Sequence, residues 1–282
     1  RIHQKSADLR HVVQTALERN RKKYDLQSKQ LKGTEKRDKY KVYGELINTY
    51  GYNLEPGSKE LTALNYYTNE EITIPLDPTQ TPGENAQRYF AKYNKQKRTF
   101  EALTELIQET ADDIQYLESI SNALDIALNE ADLAQIKEEL MQSGYIRRKH
   151  TKKKVKLTSK PMHYISSDGY DMYVGKNNLQ NEELTFSFAN GNDWWFHAKG
   201  APGSHVIVKS GGDELPDRTF EEAGRLAAYY SKNRGADKVE IDYIQKKHVK
   251  KPNGAKPGFV VYYTNYSLVI DSDISNIKNV QD

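Results

Sequence analysis

A heptad seam constrains this chain more than any other feature of its sequence. The residues that follow Pro82 predict one long helix that opens at Gly83 and reaches Asn129. One helix cannot bury an apolar stripe by itself, so the seam requires a partner helix. Its apolar and small residues alternate spacings of four and three: Leu103, Ile107, Thr110, Ile114, Leu117, Ser121, Leu124 and Leu128.

The residues before the seam supply that partner. We predict helices from Ser6 to Leu31 and from Glu35 to Tyr50, the second of them stopped by Gly51. A change to a period of two over residues 60–76 predicts a small β-hairpin. Chain order then favours an antiparallel coiled-coil arm with the hairpin between its helices. Pairing between two copies of the chain is the alternative, and the oligomeric state stays open.

The second half of the chain has a different pattern. After a short helix from Ala131 to Met141, segments with strand character alternate with two helices, at 178–189 and 220–233. The predicted strands lie at 162–165, 170–174, 194–197, 205–208, 238–244, 259–263 and 266–270. We therefore predict an α+β fold: a coiled-coil domain at 1–144, a basic linker at 145–160 and a compact α+β domain at 161–282.

Charge is unevenly distributed between these parts. The whole chain carries a net charge of +3, but residues 145–282 hold 22 Lys and Arg against 16 Asp and Glu. The densest run has eight cations within residues 147–160. A solvated linker and a contact with an acidic partner both fit this run.

Composition excludes several other classes of protein. The chain has no cysteine, which excludes a disulfide framework and thiolate metal sites and is compatible with a reducing cytosol. No run of 18 apolar residues occurs, so we expect no insertion into a membrane. The chain opens without an initiator Met, and we expect it to start inside a longer protein.

Asp193, His197 and His205 could meet across a turn at Pro202 and Gly203. Such a group could form a hydrolytic site or hold a metal ion. However, no third ligand occurs at metal spacing, and Ser204 lacks the strand-turn-helix context of a nucleophilic serine. We predict no catalytic residue, metal or cofactor, and we expect packing roles for these histidines beside Trp194 and Trp195.

Two other segments fit phosphate binding. Lys176, Asn177, Asn178 and Asn181 follow a predicted strand at the start of a helix, where an anion site and an ordinary helix cap are both reasonable. Residues 245–258 form a loop rich in lysine, whose prolines and glycines fix its shape. Lysines on a shaped loop suit a phosphate backbone, because each neutralised phosphate releases counterions.

Four motifs identify the second half as similar to the NFACT-R domain of the family of fibronectin-binding proteins, RqcH and NEMF. They are Val-Gly-Lys-Asn-Asn-Leu-Gln-Asn at 174–181, Asp-Trp-Trp-Phe-His at 193–197, Pro-Gly-Ser-His-Val at 202–206 and Lys-Lys-Pro-Asn-Gly-Ala-Lys-Pro-Gly at 250–258. The first half resembles the family's middle coiled coil, through Ile-Pro-Leu-Asp-Pro at 74–78 and Glu-Asn-Ala-Gln-Arg-Tyr-Phe at 84–90.

The resemblance implies a cytoplasmic factor without enzymatic activity. Full-length relatives are expected to bind the large ribosomal subunit with stalled peptidyl-tRNA and to promote alanine tails, with the coiled coil directed to the stalk base. The resemblance also leads us to expect that this chain lacks the family's N-terminal regions, where tRNA handling is expected. We expect RNA contacts from Lys176, Asn177, Asn178, His197, His205, Lys246, Lys250, Lys251 and Lys256, and structural support from Asp193, Trp194, Trp195, Pro202 and Gly203.

The same resemblance implies a second function of a different class. Gram-positive members of the family are also described as surface adhesins that bind fibronectin. This hypothesis adds fibronectin as a partner and display at the cell surface as a second location.

Overall fold

Four helices carry the first half of the chain. The computed structural model, which describes residues 2–148 and 158–280, contains α1 (Ile2–Lys32), α2 (Arg37–Tyr50), α3 (Pro82–Ile126) and α4 (Glu130–Gln142). The chain divides into two compact units, which we name the hairpin unit (Asn20–Asp112) and the sheet unit (Arg1–Arg19 with Asp113–Asp282). The division at 144 and 161 that the sequence favours stays a prediction.

The seam of α3 packs on α1 within the same chain. Arg10 of α1 pairs with Asp125 of α3 at 2.8 Å. Gln27, which comes later in α1, accepts a hydrogen bond at 2.9 Å from Thr110, which comes earlier in α3. The two helices are therefore antiparallel, as the sequence predicts. In the sheet unit their buried contacts come from Leu9, Val13, Ala16, Leu17, Tyr116, Leu117, Ile120 and Leu124, joined by Leu133, Ile136 and Leu140 of α4.

The seam is shorter than predicted at its C-terminal end. Leu128 is 71% exposed and lies beyond α3, which ends at Ile126. The cause is Asn129, whose side chain accepts a hydrogen bond from the backbone N–H of Asp132 and so begins α4. A helix cap therefore interrupts the heptad pattern before its last position.

The hairpin unit has its own small core. Strands β1 (Glu60–Asn65) and β2 (Glu70–Pro75) form an antiparallel pair with Glu60 opposite Pro75. They lie where the change of period placed a hairpin. The buried residues of this core are Leu46 and Ile47 of α2, Leu61, Ala63 and Ile74 of the hairpin, then Leu76, and Ala86 and Tyr89 of α3.

The sheet unit is built on seven antiparallel strands in the order β8-β7-β5-β6-β4-β3-β9. The strands are β3 (Met162–Ile165), β4 (Asp171–Val174), β5 (Trp194–Ala198), β6 (Val206–Val208), β7 (Val239–Gln245), β8 (Tyr266–Ile270) and β9 (Lys278–Val280). Helix α6 (Asp217–Tyr229) covers one face, where Phe196, Val206 and Leu226 are fully buried. On the other face Trp195 and Ile207 pack against Leu184 and Phe186, which directly follow α5 (Asn178–Glu183), and against Val249, Val260 and Tyr262 after β7.

Several predicted elements differ from the structure. Residues 259–263 are not a strand: Val261 makes one isolated bridge with Lys250, while Val260 and Tyr262 pack on the face that holds Trp195. Strand β9 was not predicted. The helix expected at 178–189 is α5 followed by a π-helical turn, Leu184–Phe188. The strand expected from His205 begins at Val206, and the helix expected at 220–233 lies at Asp217–Tyr229.

Most of the basic run lies outside the described residues, namely Lys149, His150, Lys152, Lys153, Lys154 and Lys156. Of its remaining cations, Arg148 pairs with Glu138 at 2.9 Å. Within the described ranges, none of the helices combines the length and apolar character that crossing a membrane requires.

Candidate nucleic-acid interface

The segment that follows β7 is a loop of fixed shape, which we name the cationic loop (residues 246–258). Two hydrogen bonds hold its first turn: the backbone N–H of Lys246 donates to the carbonyl of Asp193 (2.8 Å), and that of Lys247 donates to the carbonyl of Gly191 (3.1 Å). The side chain of Val249 within the loop is buried, and the backbone of Lys250 forms an isolated β-bridge with Val261. The loop therefore presents its lysines on a backbone that is already ordered.

The cations of this loop fall into two groups. Lys251 pairs with Glu182 at 2.9 Å, and Lys256 pairs with Asp113 at 2.7 Å and lies over the ring of Tyr116. These two lysines anchor the loop to α5 and α3. Sequence reasoning missed both carboxylate partners because they are distant in the chain and belong to no local motif.

The second group faces solvent. Lys247, His248 and Lys250 are exposed and Lys246 is half-buried, and none of the four has a carboxylate partner among the residues that the structure describes. The ammonium group of Lys250 donates to the carbonyl of Lys247 at 3.1 Å. Lysines that meet no carboxylate among the described residues and lie next to rigid backbone suit phosphate oxygens.

Lys176, Asn177 and Asn178 are placed differently from the expected RNA contacts. Lys176 pairs with buried Asp132 of α4 at 3.1 Å, and Asn177 donates to Gln135 at 2.6 Å. Both asparagines are buried, and the side chain of Asn177 also caps α5 by accepting from the N–H of Gln180. These polar groups bond to α4 rather than to solvent, so they connect the sheet to the helices beneath it.

Asn178 belongs to a buried network that the sequence does not indicate. Its amide donates to Glu139 (3.0 Å) and Ser119 (2.8 Å), and the Tyr116 hydroxyl donates to the same Glu139 oxygen at 2.6 Å. Burial raises the pKa of Glu139 above its usual range, against the opposing effect of those two hydrogen bonds. Burial likewise raises the pKa of Tyr116, and the nearby carboxylate adds to it.

His197 and His205 are neighbours, as the sequence predicts, with ring centroids 5.8 Å apart in an edge contact. His205 is 3% exposed and bonds Thr185 at 2.8 Å. Burial lowers the pKa of His197 to about 4 and that of His205 to about 3. Both rings are therefore neutral at physiological pH, and His205 is covered, which differs from the expected contact with RNA.

Asp193 does not orient either imidazole. Its carboxylate accepts from the backbone N–H groups of Asn190 (2.7 Å) and Ser210 (3.0 Å) and pairs with Lys209 at 2.7 Å. It holds the two loops that flank β5 and β6. A hydrolytic group of Asp193 with the two histidines is therefore not assembled.

The remaining support residues lie in the packing of the sheet. Trp195 is fully buried, and Trp194 meets Phe220 edge-on with ring centroids 4.9 Å apart. Gly203 bridges to Ser231, and a Cβ atom there would approach the Ser231 Cβ to 2.9 Å. The carbonyl of Pro202 accepts from the N–H of Lys232 at 2.9 Å. In the chain as described, no group of three His, Asp or Glu residues could hold a metal ion.

Two family models together match most of the chain. The model described as NFACT N-terminal and middle domains matches residues 1–159, and the model described as NFACT protein RNA binding domain matches residues 160–263.

Similar proteins agree with these models. The Rqc2 homolog RqcH of Streptococcus pneumoniae serotype 2 (strain D39) is 41% identical over 282 residues, which are 100% of this chain and 51% of that protein. The Rqc2 homolog RqcH of Bacillus subtilis (strain 168) is 38% identical over 98% of this chain and 49% of its own length. The chain thus spans about half the length of these relatives.

A solved structure is similar over its whole length. It is the C-terminal part of the fibronectin/fibrinogen-binding protein from Streptococcus suis, at 37% identity and a TM-score of 0.77, and the match covers 99% of both chains.

Proposed function

This chain belongs to the NFACT protein family, and from that membership we propose that it is the ribosome-contacting, RNA-binding portion of a ribosome quality-control factor. Its partner is the large ribosomal subunit that carries a stalled peptidyl-tRNA, and the whole factor supports alanine tailing there. The RqcH relatives and the match to an NFACT RNA-binding domain support this proposal. Contacts with tRNA and with the stalk base belong to the same proposal.

One observation carries the RNA contact: Lys246, Lys247 and Lys250, which have no carboxylate partner within residues 2–148 and 158–280, lie on the ordered backbone of the cationic loop. Each lysine that neutralises a phosphate releases condensed counterions, so affinity falls steeply with salt. We assign the contact to these lysines rather than to Lys176, whose charge is already paired with Asp132. His248, which is exposed beside them, can add a further donor.

The site is proposed to bind rather than to catalyse. His205 is buried, both histidines are neutral at physiological pH, and the carboxylate of Asp193 is occupied by backbone N–H groups and Lys209. A nucleophile activated by an oriented base is therefore not formed by these residues. We propose that the chain acts in the cytoplasm without a cofactor.

The test is co-sedimentation with purified large ribosomal subunits. The variant Lys246→Glu/Lys247→Glu/Lys250→Glu should lose pelleting with the subunits. The control Lys59→Glu/Lys238→Glu/Lys278→Glu changes the net charge equally at exposed lysines outside the loop and should pellet like the wild type. Equal loss of pelleting in both variants would mean that binding depends on net charge and not on the lysines of the loop. If the loop variant still pelleted with the subunits, the assignment of the RNA contact to these three lysines would be wrong.

A second candidate function is binding of fibronectin. It is favoured by the likeness to the fibronectin/fibrinogen-binding protein of Streptococcus suis over the whole chain, and it would require display at the cell surface. Retention of the nuclease-treated chain on immobilised fibronectin at high salt would support it. Loss of retention after nuclease treatment would show that contaminating nucleic acid bridges the two proteins.

A further inference from the structure

An aromatic ladder crosses the sheet from its core to one edge. Phe196 of β5 lies opposite Tyr243 of β7 in the strand register, and Tyr243 lies opposite Tyr266 of β8. Their rings stack in turn, with centroids 5.4 and 5.5 Å apart and planes inclined by 13° and 27°. Directly opposed aromatic residues on adjacent strands stabilise a sheet, so the inner part of the ladder has a structural role.

The ladder ends on an exposed ring. Phe196 is fully buried, whereas Tyr266 is 58% exposed and lies on β8, the last strand at this edge of the sheet. Tyr243 covers one face of the Tyr266 ring, and Trp194 approaches it at 6.1 Å with a tilted plane. The strand order places no further strand beyond β8 among the described residues, so the outer face of this ring is open.

A packed ring with one open face suits a planar ligand. The Tyr266 ring is already oriented by the stack behind it, so binding costs little side-chain entropy. Every nucleobase presents a flat face, and stacking on an aromatic side chain tolerates any base sequence. Bases within a duplex have both faces covered, so only an unpaired base can use this position.

The lysines that follow β7 in the chain favour nucleic acid over another planar ligand. Lys246 and Lys247 follow β7 directly, three and four residues after Tyr243. Cations that contact phosphates beside aromatic rings that stack bases are the usual elements of a single-strand binding surface.

We propose that Tyr266 is the outer end of a base-stacking platform, backed by Tyr243 and Trp194, and that this unit therefore takes unpaired RNA in preference to duplex. The inference rests on the proposed RNA-binding function and names the class of RNA at that same site. The lysines of the cationic loop supply affinity for the backbone, and Tyr266 supplies the preference for a single strand.

Fluorescence anisotropy with two labelled RNAs tests the platform: a single-stranded oligoadenylate of about twelve nucleotides, within the usual range of single-strand site sizes, and a duplex of the same length. The wild type should prefer the single strand. Tyr266→Ala should weaken single-strand binding at least about fivefold, the lower end of the effect of removing one stacking ring, and should leave duplex binding unchanged.

Two further variants separate stacking from loss of structure. Tyr266→Phe keeps the ring and should keep single-strand affinity, while Tyr52→Ala removes an exposed tyrosine of the hairpin unit and should have no effect. Inorganic polyphosphate, which has charge but no bases, should compete equally well against the wild type and Tyr266→Ala. Unchanged single-strand affinity in Tyr266→Ala would overturn the platform. A wild type that binds neither RNA would overturn the proposed function itself.

Discussion

Asp132 shows how one buried carboxylate decides the role of its neighbours. It is buried at the start of α4, where it accepts from the hydroxyl of Ser159 at 2.7 Å, the N–H of Leu128 at 3.0 Å and the ammonium of Lys176 at 3.1 Å. A buried ion pair of this kind is costly to break from one side, because the other charge is left uncompensated. Lys176 is therefore fixed as a structural residue.

Lys176→Met should change the stability of the chain, whereas Lys250→Met should change the salt dependence of RNA binding. Lys176→Met leaves Asp132 without its counter-charge and should lower the free energy of unfolding by about 3 kcal/mol, with no change in the salt dependence of RNA binding. Lys250→Met should leave stability within about 0.5 kcal/mol and reduce the slope of log affinity against log salt by about 1. Urea denaturation and an RNA-binding salt series measure both. A reduced slope in folded Lys176→Met would contradict this account.

Glu139 predicts a pH dependence of stability. A carboxyl whose pKa is raised on folding favours the folded state at low pH, and its contribution is lost as the pH rises from the ordinary carboxyl range through the raised pKa. Glu139→Gln keeps an oxygen for Tyr116 and Asn178 but removes the buried charge. The variant should therefore gain stability relative to the wild type as the pH rises from about 5 to about 8, a range chosen to bracket neutrality.

Urea midpoints of both chains across that pH range check the prediction. Glu101→Gln, at an exposed position of α3, controls for removal of a surface charge. A difference between Glu139→Gln and the wild type that does not change with pH would mean that the buried carboxyl does not govern this dependence.

At this scale the sequence predicts neighbours but not burial. The spacing of His197 and His205 around a Pro-Gly turn was enough to predict that the rings are neighbours, and the position of Asn177 before a helix left a cap and an anion site both open. Whether Lys176 and Asn178 face solvent depends on α4, whose residues Asp132 and Glu139 precede them by 44 and 39 positions. Local patterns contain no signal for such pairs.

Among the elements, the coiled-coil seam offers a direct test, because two of its predicted positions have opposite environments. Leu117 is fully buried between α1 and α4, whereas Leu128 is 71% exposed. Leu117→Ala should destabilise the chain by about 2–5 kcal/mol, because it removes buried apolar surface and leaves a cavity. Leu128→Ala should change stability by less than about 0.5 kcal/mol. Equal destabilisation by the two variants would mean that Leu128 is packed like Leu117 and that the seam extends to Leu128.

Most regular elements were predictable from periodicity, whereas strand β9 and the loops that cover the sheet were not. A seam with spacings of three and four predicted α3, and the partner helix followed from the need to bury it. The segment at 259–263 has the β-branched and aromatic residues that are typical of a strand, yet Val260 and Tyr262 cover a sheet face instead of joining the sheet. Pro252, Pro257 and Gly258 precede it and shape a covering loop.

For the whole molecule, charge is the link between sequence and proposed function. The excess of cations in the second half was evident from the sequence. The structure shows which of those cations are paired with carboxylates. Lys251 and Lys256 are neutralised by Glu182 and Asp113, and Lys176 by Asp132, so net charge overstates the surface available to RNA. Lys246, Lys247 and Lys250 near the end of β7, which meet no carboxylate in the described part of the chain, define a smaller surface.

The most direct test of the central claim is the salt dependence of binding to purified large ribosomal subunits. Wild-type chain should bind with a linear fall of log affinity against log salt. Lys246→Gln/Lys247→Gln/Lys250→Gln should reduce that slope by about 2–3, because each phosphate that a lysine no longer neutralises lowers it by roughly one. An unchanged slope in this variant, with binding retained, would contradict the account and place the RNA contact elsewhere on the chain.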